Sequence, residues 1–192
     1  MAITETSICN SALIKIGVET INSLSDNVKA AKLCNQQYSI LRDEVLQDHP
    51  WNFALARVEL ANTAVTPVWE FDNEYQLPND CLKVVSFEDE EFTEYQIEGN
   101  KLYTNYDTAK IKYIKRITTT GNFTPKFAEA LAFRLAAELA YPLVQSVNLG
   151  KAMMQAYGAF LQSARTRDAQ EGTPRQYQGD AWVQSRYSPR SI

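Results

Sequence analysis

Apolar residues recur along this chain first with a helical period, then with a period of two, then with a helical period again. Ile8, Ala12, Leu13 and Ile16 make one stripe, which predicts a first helix from Thr4 to Ile16. Thr4 can cap it, Glu5 sits in the first turn where the peptide dipoles favour an anion, and Gly17 stops it. A second stripe is Ala30/Ala31, Cys34, Tyr38, Leu41 and Val45, predicting a helix from about Val28 to Asp48 with Ser25 or Asp26 as its cap. Pro50 disfavours helical backbone at His49 and ends that helix. Trp51 and Phe53 follow at once, placed to fold back on the helix end and anchor the exit of the chain.

From Ala54 to Thr120 the alternation is strand-like and β-branched and aromatic residues become frequent. Strands are predicted to start near Arg57 to Leu60, to alternate through Trp69, Phe71, Asn73, Tyr75 and Leu77, and to resume at Leu82, Val84 and Phe87 after a Pro78-Asn79-Asp80 turn. Tyr95 to Ile97 and Leu102 to Thr104 flank Glu98-Gly99-Asn100, a hairpin signal, and Ile111, Tyr113 and Ile117 make a last strand. Several short strands with tight turns predict a small sandwich or barrel.

Thr124 and Pro125 then suit the cap and first position of a third helix, running to about Ala140. Phe127, Leu131, Leu135 and Leu139 form one face of it. Ala128, Ala132, Ala136 and Ala140 lie beside that face and let a partner helix approach, and Pro142 is expected to break or kink the helix. A fourth helix, from about Asn148 to Ala169, carries Met153, Tyr157, Phe160/Leu161 and Ala164, with Gly172 to close it. Each helical stripe needs cover, so the helices must pack together around the strand segment. The expected fold is α+β: a four-helix antiparallel-type bundle from 1–53 and 121–172, interrupted by a small β-sandwich or barrel insertion over 54–120. An extended C-terminal tail, 173–192, follows it.

That tail is polar, with Pro174, Gly179 and Pro189, and shows no period of either kind. Tyr177, Trp182, Val183 and Tyr187 nevertheless stand among Arg175, Arg186 and Arg190, the composition of an interface anchor.

Charge and candidate chemistry narrow the picture. The formal net charge of -4 argues against a protein whose main task is gripping DNA phosphates. The three cysteines, Cys9, Cys34 and Cys81, form no CxxC pair; Cys9 and Cys34 fall on apolar stripes, as small buried hydrophobes in a reducing cytoplasm would. The first residues lack the basic start and apolar run of a signal peptide, and no stretch is long and apolar enough to cross a membrane. The one histidine, His49, stands at a helix end, suited to capping or to packing at the joint, and cannot build a zinc site with scattered cysteines. Neither GxSxG, HExxH nor a glycine-rich phosphate loop occurs, and no cofactor is expected.

Two charged stretches stand out. Glu88, Asp89, Glu90 and Glu91 form an acidic run, readable as a solvated turn, a surface for a neighbouring protein, or carboxylates for glycoside hydrolysis. Lys110, Lys112, Lys115 and Arg116 interleave with Tyr113, readable as a nucleic-acid strip or as the lysines of an exposed strand edge. If copies form a ring, the basic strand of one can meet the acidic run of the next.

The order of these segments carries a resemblance. Leu33-Cys34-Asn35-Gln36-Gln37-Tyr38 runs on to Asp48-His49-Pro50-Trp51-Asn52-Phe53-Ala54, and Phe127 to Leu143 reads FAEALAFRLAAELAYPL. Arg165-Thr166-Arg167-Asp168-Ala169-Gln170-Glu171-Gly172 comes later. Over Ile3 to Gly172 the chain resembles the tail tubular protein A family of short-tailed bacteriophages. In the strand region the likeness is looser, through Tyr75-Gln76-Leu77-Pro78 and Asp80-Cys81-Leu82.

The resemblance implies a non-enzymatic head-to-tail adaptor: a homo-oligomeric ring of twelve copies at the head–tail junction of the virion, assembled in the host cytoplasm. Its partners would be the portal protein and the tail nozzle protein, with genomic DNA passing through the channel without specific binding and no membrane involved. The expected portal-binding residues are Arg175, Tyr177, Trp182, Val183, Arg186 and Tyr187. The expected inter-subunit residues are Glu88, Asp89, Glu90, Glu91, Lys110, Lys112, Lys115 and Arg116. His49, Pro50, Trp51 and Phe53 are expected to pack the domain joint. The competing readings are a tail-associated cell-wall hydrolase and a nucleic-acid-binding module.

Overall fold

The computed structural model describes residues 3–87 and 94–171, with side chains through Ala164. Among these residues the protein is mixed α and β: four helices and two small antiparallel sheets of three strands each. The helices are α1 (Glu5–Lys15), α2 (Lys29–Asp48), α3 (Pro125–Val144) and α4 (Val147–Glu171). The strands are β1 (Leu55–Glu59), β2 (Asn73–Gln76), β3 (Cys81–Phe87), β4 (Tyr95–Glu98), β5 (Lys101–Thr104) and β6 (Lys110–Lys115). The strand order is β1-β6-β3 in one sheet and β2-β5-β4 in the other. Both sheets are open, so the barrel alternative is discarded.

Local chemistry explains most helix ends. Thr4 caps α1 reciprocally with Ser7: the Ser7 N–H donates to Thr4 Oγ1 and the Thr4 N–H donates to Ser7 Oγ. Thr124 Oγ1 accepts from the Phe127 N–H at the start of α3, with Pro125 in the first turn. Two expectations fail. Neither Ser25 nor Asp26 caps α2; Val28 takes the cap position without a side-chain bond, because the Asp26 carboxylate is spent on the N–H groups of Asn22 and Ser23 in the preceding loop. Pro142 does not end α3 either. The helix runs two residues further and stops where Gln145 turns left-handed, φ 57°, its N–H bonded to Tyr141 O. Proline this late in a helix forfeits a single backbone bond, and the Lys29 ammonium donates to the Pro142 carbonyl.

Helix α3 is the hub, packing against α4, α1 and α2. Phe127, Leu131, Leu135 and Leu139 are fully buried, and so are Ala130, Ala132, Ala136 and Ala140, because neighbours cover α3 on several sides. The same core reaches the first sheet through Leu55, Leu82 and Ile114. A second, smaller core holds Leu60, Tyr75, Leu77, Phe87, Leu102, Ile111 and Tyr113, drawn from both sheets. Strand alternation makes this arrangement possible. On β6, Ile111 and Tyr113 point to the second core while Ile114, on the other face, points to the helices.

Two strand expectations need correction. The basic strand is no sheet edge: β6 lies in the centre, paired antiparallel with β1 on one side and β3 on the other. Its lysines are therefore not edge guards; Lys110 and Lys112 share the Ile114 face, where the strand runs on past the helical core into solvent. The run from Trp69 to Leu77 is strand only from Asn73. Glu70 adopts φ 72° and the Phe71 N–H bonds back to Trp69 O, a tight γ-turn that breaks the extended backbone just before β2.

Candidate functional site

The segment 48–54 joins the helical core to the first sheet. The structure places His49 at the C-terminal cap of α2, in extended backbone and 4% exposed. The Trp51 N–H bonds His49 O across Pro50, and the Trp51 indole N–H donates 2.9 Å to Val45 O in the last turn of α2. The indole meets the rings of His49 (centroids 4.9 Å) and Phe127 (5.4 Å) edge-on. Phe53 packs on Phe127 and Phe123. These rings tie the end of α2, the start of α3 and the lead into β1 into one unit, each pair worth about 0.5–1.5 kcal/mol beyond burial.

The basic residues of 110–116 do not act as one group. Lys115 pairs with Asp80 at 3.3 Å and Arg116 with Asp43 at 2.8 Å, so those charges are partly neutralised within the chain. Lys110 and Lys112 line an open cleft of about 450 Å³ with Arg57, Glu59 and Phe87. Cations outnumber the one carboxylate there, but no histidine or activated nucleophile accompanies them. The acidic residues Glu88, Asp89, Glu90 and Glu91 lie outside the described residues, as do Arg175, Tyr177, Trp182, Val183, Arg186 and Tyr187.

Several polar links escaped the sequence. Arg134 on α3 holds Glu44 on α2 in a two-pronged bond (3.0 and 3.1 Å) and also reaches Glu138. Burial alone would lower its pKa, but these carboxylates raise it. Tyr157 on α4 donates to Asp48 at 2.6 Å, and burial and that carboxylate push its phenol up. Lys15 on α1 pairs with Glu129 on α3 at 2.6 Å and lies over the Phe133 ring. Partners separated by 90 to 114 positions leave no local signal to read. The thiols of Cys9 and Cys34 are free and buried, and the neighbouring Cys34, with burial, raises the pKa of Cys9.

Glu74 is the one buried carboxylate among the described side chains. It accepts from Lys101 (2.8 Å) and Thr63 (2.9 Å), and the Lys101 bond is the main reason its pKa falls below the ordinary 4.5. Both bonds reach its Oε1, and a carboxylate so held in its charged form is a structural anchor and not a proton-transfer group. No cluster of three potential metal ligands occurs among the described residues, and no helix there is long and apolar enough to cross a membrane.

What the described surface offers is charged and apolar contact area on a tightly tied frame. No curated protein matches the chain. The tail tubular protein family model, however, matches residues 7–121, from α1 through both sheets to the threshold of α3. That span is more than half the chain, and it contains the helix-stop aromatics and the six strands, so the chain belongs to the tail tubular protein family and is a structural component of a phage tail.

Proposed function

We propose that this protein is the head-to-tail adaptor of a short-tailed phage, a ring of twelve copies between portal and tail nozzle through which DNA is ejected. The observation that carries the reading is the family match over residues 7–121, joined to the sequence likeness that continues through α3 and α4. In this reading 1–53 and 121–172 form the ring wall as a four-helix bundle, and 54–120 projects as a sandwich-like insertion toward the neighbour or the nozzle. The segment 173–192 docks on the portal through its aromatic and arginine residues.

Physical chemistry supports the reading at three points. Helices tied by Arg134–Glu44, Tyr157–Asp48 and Lys15–Glu129 make a stiff wall element. A ring needs heterologous contacts, one patch meeting a different patch on the next copy, and Lys110 and Lys112 of β6, with Lys115 and Arg116 partly neutralised by Asp80 and Asp43, can make one such pair with the acidic run 88–91. A DNA conduit works best with neutral or acidic walls, since basic walls hold phosphates by counterion release; a net charge of -4 per copy fits.

The test is electron microscopy of virions and of the purified protein mixed with its portal. The expected result is a closed ring of this protein at the vertex that bears the tail. Absence of its density there would sink the proposal.

A further inference from the structure

Residues 64–70 form a loop that breaks an elementary rule of burial. Its sequence, Ala64-Val65-Thr66-Pro67-Val68-Trp69-Glu70, is mainly apolar, yet Val68 is 99% and Trp69 78% exposed. A lone exposed apolar residue is ordinary; a valine, a tryptophan and a half-exposed Val65 on one loop are a patch.

The loop is also held in shape. Ala64 and Glu70, its two ends, both take left-handed backbone (φ 58° and 72°), unusual without glycine. Side-chain bonds fix the base on both sides. Asn62 Oδ1 accepts from the Ala64 N–H and its amide donates to Asn73, Thr63 Oγ1 donates to Glu74, and Asn105 Oδ1 accepts from the Asp72 N–H. Pro67 stiffens the tip. Backbone strain kept in place by surrounding bonds, beneath an exposed indole, is how a binding element is preorganised.

The complement of this knob lies on the same chain. Between α3 and α4 an apolar groove of about 370 Å³ is lined by Ala137, Tyr141, Val147, Gly150 and Met154. Tyr141 is 64% and Val147 54% exposed, so the groove is open. Gly150 sits against α3, where an added Cβ would come within 3.1 Å of Ala137 O. The charges are complementary: Glu70 stands beside the indole, and the groove is lined by two cations, Arg134 and Lys151, against one carboxylate, Glu138, which Arg134 holds at 3.2 Å. The knob belongs to the second sheet's side and the groove to the helices. Both stand open in one molecule, so a chain does not fill its own groove.

We propose that the loop 65–69 of one copy seats in the α3–α4 groove of the next, Trp69 against Tyr141 and Val147 with Glu70 facing Lys151. This deepens the ring reading and rests on it. A knob and a hole on different faces of one chain make a head-to-tail contact, which closes into a ring when the rotation allows.

The experiment is thiol cross-linking in virions carrying full-length protein with Val68→Cys and Met154→Cys together, on the loop and in the groove but leaving Trp69, Tyr141 and Val147 in place, in a Cys81→Ser background. After treatment with a short bismaleimide, the double variant is expected to run as a ladder of multiples of this chain on a denaturing gel, and each single variant as monomer. In parallel, Trp69→Ala is expected to lower ring assembly at least tenfold with an unchanged melting temperature. Glu70→Lys or Lys151→Glu should each weaken assembly, and the two together should restore it. Rings that are visible by microscopy but give no ladder would overturn this contact and leave the ring reading standing. Cross-links to a different tail protein would also overturn it. Virions without any ring of this protein would remove both.

Discussion

Trp51 shows how one side chain can set a chain's course. Proline at 50 forbids the helix to continue, but it does not say where the chain goes next. The indole N–H answers that by bonding Val45 O, folding the exit segment back over the helix it has just left. Trp51→Phe keeps the ring against Phe127 and loses this bond. The expected cost is about 1–2 kcal/mol in urea unfolding, the range for a buried hydrogen bond whose acceptor is left behind. Glu74 gives a pH-dependent counterpart. Its folded pKa lies below 4.5 because Lys101, and then Thr63 and Tyr103, bond the charged form. A depressed carboxylate stabilises the fold above its unfolded pKa, and that stabilisation is lost as pH falls through the folded value. Glu74→Gln should therefore melt lower than the parent at neutral pH, with the gap closing only at pH below 4.5. A gap independent of pH would show that the carboxylate's charge is not what counts. None of Glu74's partners was visible beforehand, since Lys101 and Thr63 reach it only through strand pairing and the return of the 61–63 segment along β2.

Between elements, close approach decides more than propensity. Gly150 and Gly158 both lie in α4, and on helix propensity alone each Gly→Ala change should stabilise by about 1 kcal/mol. Their surroundings differ. At Gly158 an added Cβ meets nothing within 4 Å, so Gly158→Ala should raise stability by about 0.5–1 kcal/mol. At Gly150 it meets the Ala137 backbone carbonyl at 3.1 Å and Ala140 Cβ at 3.7 Å, and neither is a flexible chain end. Gly150→Ala should yield no gain or a loss, read by thermal unfolding of the two variants side by side. The alanine row on α3 pointed to a tight helix contact, but it did not say which helix or at which residue. The periods placed all four helices and most strands, because a helical face or a strand face is written within a few residues. They misplaced Trp69 and Phe71 in a strand, since the γ-turn at Glu70 is held by bonds outside the alternating pattern.

For the assembled protein, function follows from which surfaces remain open once the cores are filled. The helical core and the inter-sheet core consume the apolar stripes, leaving the Trp69 loop, the α3–α4 groove and the charged cleft beside β6. The segment 173–192 belongs at this level, because its role is proposed toward another protein. Deleting Thr173 to Ile192 should leave the cooperative unfolding of the remainder intact and abolish co-sedimentation with portal rings; normal joining would refute the docking role.

Read alone, the sequence determined the order and type of the elements, the caps at Thr4 and Thr124, the stop at Pro50, and the family likeness. These are all properties of residues within a turn or two of one another, where backbone sterics and side-chain periodicity act without reference to distant chain. Only the tertiary structure decided that β6 is flanked on both sides, that the sheets stay open, that Arg134 finds Glu44, and that a valine and a tryptophan are left in water. Those outcomes depend on which distant segments compete for the same neighbour, and that competition is settled by packing the whole chain at once.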